Sequence, residues 1–192
     1  MKEYFDYATM VASKGVLNEE GGPFGAVIVK NGKIVGIGNN KVLLKNDPTA
    51  HAEITAIRDA CKNLNTYDLT GCIIYSTSEP CPMCLSAIIW SNIKEVYYAT
   101  TRLEVARIGF RDNLIYDYLE NKNKDVIKVI KIENKDCKEL LNNYKNTKDE
   151  EKLDMIKEKY KVTDKINNVE GLYDFKSGIA DNDRRVKEYY PY

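Results

Sequence analysis

Apolar residues in this chain fall into short runs whose period switches several times between that of a helix and that of a strand. In residues 2–14, Phe5, Ala8, Val11 and Ala12 recur at helical spacing, which predicts an amphipathic helix ended by Gly15. Residues 18–23 read as a loop. Residues 26–29 and 33–38 are β-rich runs flanking Asn31-Gly32, a dipeptide that favours a two-residue hairpin turn. In residues 51–64, Ile54, Ile57, Cys61 and Leu64 lie three, four and three positions apart, as on one face of a helix. Residues 72–76 predict a buried strand, and residues 84–90 a helix with Pro80 and Pro82 at its approach. A strand over Glu95–Thr100, a short helix over Arg102–Arg107 and a last strand over residues 125–132 complete the pattern. A hairpin followed by alternating helices and strands predicts an α/β domain, its mixed sheet covered on both faces.

Beyond Asp136 the composition changes. Residues 146–192 contain 21 charged positions out of 47, against 30% for the whole chain. Residues 148–162 can form a helix with Leu153, Ile156 and Tyr160 on one side, and the last part of the chain has no clear period. We therefore expect a main domain over residues 1–145 and a charged helix and arm over 146–192, acting as a solvated arm, an oligomer clasp or a lid.

The 192 residues carry 29 basic and 29 acidic side chains and one histidine, for zero net charge. That balance argues against a nucleic-acid partner held by bulk electrostatics. No apolar run is long enough to span a membrane, and acids interrupt the N-terminal segment where a signal peptide needs apolar residues, so the expected compartment is the cytoplasm. Five cysteines, an odd number, disfavour a disulfide framework. Two of them form Cys81-x-x-Cys84, which in a reducing compartment reads as metal or redox chemistry.

The informative residues are His51-Ala52-Glu53 and Pro80-Cys81-Pro82-Met83-Cys84. Zinc takes thiolate and neutral imidazole ligands in tetrahedral array, and His51, Cys81 and Cys84 supply three. Cys81 and Cys84 in the first turn of a helix point the same way, and the positive helix end favours their thiolate form. Three protein ligands leave a fourth position for water, the arrangement of a catalytic site. Glu53 lies near enough to move that water's proton. Each half alone has a plainer reading: a packed histidine, a redox pair or half of a structural zinc site.

The order His-x-Glu followed by Pro-Cys-x-x-Cys matches the zinc deaminase signature, and the chain resembles the cytidine deaminase superfamily over about residues 2–116. Within it the chain is most similar to the small bacterial guanine deaminases. Residues 21–29, 46–58 and 79–90 and the segment from Gly109 to Tyr116 carry the resemblance. It implies a three-layer α-β-α sandwich around a five-stranded mixed sheet and a homodimer with exchanged C-terminal segments. It also implies one Zn2+ per subunit on His51, Cys81 and Cys84, with Glu53 as proton shuttle and Asp112 as a second catalytic carboxylate. The substrate-binding set it implies is Asn40 at the base edge, Phe24 and Trp90 as aromatic walls, Ala52, and Tyr192 from the tail, with Tyr160, Tyr189 and Tyr190 as alternatives to Tyr192. The expected reaction is hydrolysis of guanine by water to xanthine and ammonia. Another free base or a nucleoside, such as cytosine or guanosine, stays open. A tRNA adenosine deaminase is disfavoured, because residues 100–106 (TTRLEVA) lack the Gly-Ala-x-Gly-Ser-type segment of those enzymes. A non-catalytic scaffold is disfavoured by the intact Glu53. Two features depart from the guanine branch: roughly 45 extra C-terminal residues, and arginines at 102, 107 and 111 near a pocket for a neutral base.

Overall fold

The computed structural model describes residues 1–110 and 112–146. Packing divides the chain after Val126 into a first unit, Met1–Val126, and a second that opens at Ile127. In the first unit, helix α1 (Lys2–Leu17) precedes the hairpin of β1 (Gly25–Lys30) and β2 (Lys33–Asn39). Then come the one-turn helix α2 (Val42–Lys45), α3 (Ala52–Leu64), β3 (Cys72–Ser78), α4 (Pro82–Trp90), β4 (Glu95–Thr100), α5 (Arg102–Arg107) and α6 (Asp112–Leu119). The second unit contains α7 (Lys135–Asn146).

The hairpin forms as the Asn-Gly pair predicts. Asn31 and Gly32 both adopt positive φ, at 51° and 75°, and Lys30 pairs with Lys33 across the two-residue turn. Strand order is β2-β1-β3-β4, antiparallel except for the parallel β3–β4 pair. The period of two then sorts side chains into layers. Ala26 and Ile28 of β1 and Ile74 of β3 join the core beneath α3 and α4, whereas Val27, Val29 and Tyr75 face α1. Fully burying Ile28 or Ile74 stabilises the fold by about 1.5–3 kcal/mol each. On the α1 side, Tyr4 and Phe5 pack on Tyr75 with ring centroids 4.9 and 5.6 Å apart. The three layers are thus α1, the mixed sheet, and α3 with α4.

Several expectations need correction. α1 continues past Gly15 to Leu17, because that glycine is a close-packing position: a Cβ there would collide with the Asn39 side chain. The innermost stripe of α3 is Ala52, Glu53, Ala56 and Ala60, with Ile57, Cys61 and Leu64 only partly buried at its flank. Gly38 of β2 explains the small residues, since a Cβ on it would strike the Ala52 carbonyl and the Ala56 nitrogen. The helix backbone therefore lies almost directly on the strand. The sheet has four strands among the described residues, not five. Residues 127–134 have no ladder partner there, and Ile127, Val129, Ile130 and Ile132 are exposed. The helix expected over residues 148–162 lies outside the described residues. No described helix is long and apolar enough to cross a membrane.

Candidate active site

Sheet register gathers the starts of three helices. Asn39 at the end of β2 pairs with Gly25, the adjacent Ala26 pairs with Ser76, and Ser78 pairs with Thr100. The chain leaves β2, β3 and β4 on the same side of the sheet and enters α3, α4 and α5 from there. Ligands bind at such carboxyl ends in α/β sheets.

His51 is the N-cap of α3 and Cys81 the N-cap of α4, both with extended backbone (ψ 162° and 166°). Their carbonyls accept the first helical bonds, from Thr55 and Leu85, yet neither side chain caps its own helix. Both side chains are free to turn toward one point between the helices. The turn feeding His51 is held by Asp47, which accepts from the Thr49 amide at 2.8 Å and its hydroxyl at 2.7 Å. Those bonds keep the Asp47 carboxyl below its usual range.

His51 Nδ1 lies 3.7 Å from Cys81 Sγ and 3.6 Å from Cys84 Sγ. Zinc–sulfur and zinc–nitrogen distances of about 2.3 and 2.1 Å at a tetrahedral angle put the two donors about 3.6 Å apart, so the three residues fit the metal. No fourth His, Cys or carboxylate joins this group among the described residues, which leaves one coordination position for something else. A hydrogen bond from Cys84 holds Cys81 down to about 4, against the cost of burial and with help from His51, and Cys84 is raised in turn. Burial pulls the imidazole of His51 down, but its bond to Cys81 and the charges of Cys81, Glu53 and Asp112 outweigh this and raise it.

Glu53, in the first turn of α3, is only 6% exposed. Burial raises its pKa first, and the Cys81 charge adds to this against the lowering effects of its own backbone amide, His51 and Cys84. A carboxyl that binds a proton this readily suits a proton carrier. Asp112 opens α6, half-buried, and is raised by burial and by the Cys81 charge. Asn40 is buried just past β2. Its backbone N–H donates to the Phe24 carbonyl at 3.0 Å, and its side-chain Oδ1 accepts from the Val42 N–H at 3.1 Å. Phe24 is half-buried with its ring edge-on to Phe110 at 4.7 Å. Ala52 is fully buried between His51 and Glu53. The structure thus brings His51, Glu53, Cys81, Cys84 and Asp112 together and links Asn40 to Phe24. Trp90 ends α4 and is 85% exposed. Tyr160, Tyr189, Tyr190, Tyr192 and Arg111 lie outside the described residues.

Two neighbours escaped the sequence reading. Glu79 accepts from the Arg102 amide at 2.9 Å and so ties the zinc-ligand loop to the start of α5. Ser76, on β3, donates to Glu53 Oε1 at 3.2 Å. A serine at the inward phase of an apolar strand was the available signal for it.

The profile of the family described as "Cytidine and deoxycytidylate deaminase zinc-binding region" matches residues 1–100. The chain is 53% identical over 113 residues to the guanine deaminase of Bacillus subtilis, covering 59% of this chain and 72% of that protein. With the tRNA-specific adenosine deaminase of Aquifex aeolicus it shares 44% over 98 residues, 51% of this chain and 65% of the other. The crystal structure of the Bacillus subtilis guanine deaminase superimposes with a TM-score of 0.73 and 42% identity, covering 77% of this chain and 95% of that one. With donors spaced for zinc and a buried glutamate beside them, this chain belongs to the zinc-dependent cytidine and deoxycytidylate deaminase family.

Proposed function

We propose that the protein deaminates guanine, converting guanine and water to xanthine and ammonia. The observation carrying this reading is the conjunction of a three-donor zinc site with a buried glutamate in a chain 53% identical to a guanine deaminase. When bound by His51 Nδ1 and the two sulfurs, zinc supplies an acidified water, whose pKa falls to about 7. Glu53 accepts a proton from water as its oxygen adds to C2 and passes it to the ring nitrogen, then carries the proton of the new C2 hydroxyl to the amine as the C2–N bond breaks and ammonia leaves. The Asn40 amide orients the base edge, Phe24 supports one face of the ring, and Asp112 assists the proton transfers. Trp90 serves as a wall once a second subunit or the tail covers it, and Tyr192 is the terminal aromatic we assign to the lid. Free cysteine thiols at the site suit a reducing compartment such as the cytoplasm.

The same reading makes the protein a homodimer with an exchanged C-terminal segment. β4 ends the sheet with no partner on its outer edge among the described residues, and Tyr98 on it is exposed. Leu85, Ile89 and Trp90 of α4 are exposed as well. Open edges and apolar faces of this kind are normally covered.

The test is ammonia release by the zinc-loaded protein from guanine, guanosine, cytosine, cytidine, adenine and a tRNA mixture. Guanine is expected to be the preferred substrate. Glu53→Gln should keep its metal and lose turnover by about 100-fold or more. Turnover of a different panel member in preference to guanine would refute the substrate assignment.

A further inference from the structure

Ser76 occupies the interior of the sheet and is 1% exposed, paired with Ala26 on one side and Tyr98 on the other. Its Oγ accepts a long bond, 3.4 Å, from the Ser78 amide, which leaves its proton to point elsewhere. That proton goes to Glu53 Oε1. We infer that Ser76 is a positioning residue for catalysis: its hydroxyl occupies Oε1 of Glu53, fixes the carboxyl plane and leaves Oε2 to carry the proton. The inference rests on the reading of Glu53 as proton carrier.

The donor inventory around Glu53 favours this role. Cys84 also hydrogen-bonds the carboxyl, but as a zinc ligand it is a thiolate with no proton to donate. Of these two side chains, Ser76 alone keeps its bond when metal is present. Both ends of the bond are rigidly mounted, one in a strand hydrogen-bonded on both sides and the other in the first turn of α3. A buried carboxylate with one oxygen held by a fixed donor is pre-organised for transfer, since less reorientation accompanies the step. A merely structural serine would instead satisfy a buried carboxyl, and its loss would appear in stability and leave kcat unchanged.

The experiment compares zinc-loaded, full-length Ser76→Thr and Ser76→Val, which have the same shape and differ in the hydroxyl. Ser76→Ala removes the hydroxyl without adding bulk, and Glu53→Gln is the blank. The readouts are kcat and KM on guanine, or on whichever heterocycle the wild type deaminates fastest, with zinc content, Tm and the infrared band of the Glu53 carboxyl. We expect Ser76→Val to have kcat roughly tenfold below Ser76→Thr, with KM within about twofold and zinc content equal. Ser76→Ala should resemble Ser76→Val, and the Glu53 band should shift in both, with or without metal. Equal kcat in the Thr and Val variants, with Glu53→Gln inactive, overturns the role of Ser76 while leaving that of Glu53 intact. A zinc-loaded Glu53→Gln that still turns over overturns both.

Discussion

Cys84 lies three residues into α4 from Cys81, and the two thiols meet His51 only because both helices begin at the same end of the sheet. Removing one sulfur leaves two donors, too few for a tight zinc site. Cys84→Ser should therefore retain far less than one equivalent of zinc by elemental analysis. Metal bound only by the folded state stabilises it by about 4 kcal/mol when free zinc is a thousandfold above Kd. Zinc loading should accordingly raise the Tm of the wild type over its chelator-treated form, and Cys84→Ser should show no such rise. His51, Glu53, Cys81 and Cys84 were legible in the sequence because zinc and proton transfer demand particular atoms at particular spacings. Ser76 was not, since one hydroxyl in an apolar strand has no period and its partner is 23 residues away in the chain. Trp90, whose pocket role came only from the family resemblance, is exposed at the end of α4 in the described chain.

At the level of elements, local chemistry made the hairpin, β4 and α5 readable. Asn31-Gly32 sets the turn, and Thr101 and Glu104 form a reciprocal capping box that starts α5 where expected. Tertiary packing hid the rest. Gly15 looks like a helix stop and is a contact with Asn39, and the alanines of α3 look unremarkable beside Ile54 and Ile57 yet form its buried stripe. The glycine that matters for function is Gly38, because the backbone it admits belongs to the first turn of α3, which carries His51 at its cap and Glu53. Gly38→Ala forces α3 away from β2 and should cost about 1–3 kcal/mol by overpacking, measured by urea denaturation. Displacement of His51 should also weaken zinc binding. Ala52→Gly, which trims the opposing residue but leaves its carbonyl in place, should not rescue it, because the clash is with backbone.

For the whole molecule, the stretch from residue 125 to 132 is the instructive mismatch. Its Val and Ile content predicts a strand, and strand propensity expresses itself only where a neighbouring edge accepts the hydrogen bonds. Among the described residues, 127–134 have no ladder partner and β4 has none on its outer edge. The proposed exchange between two subunits would satisfy both and would cover Ile127, Val129, Ile130 and Ile132, which are exposed in the single chain. Light scattering of the full chain should then give twice the chain mass. Truncation after Asn146 separates the parts: dimerisation should survive, because residues 125–146 remain, and kcat/KM should fall if the tail closes the partner's site. Complementation gives the sharpest readout. A full-length Glu53→Gln chain should be inactive alone, and a truncated chain with intact Glu53 should have reduced activity. Mixed after unfolding and refolding together, they should form heterodimers in which the mutant's tail covers the intact site, and activity should rise above that of the truncated chain alone. Monomeric full-length protein, or no gain on mixing, would show that each chain builds its site unaided.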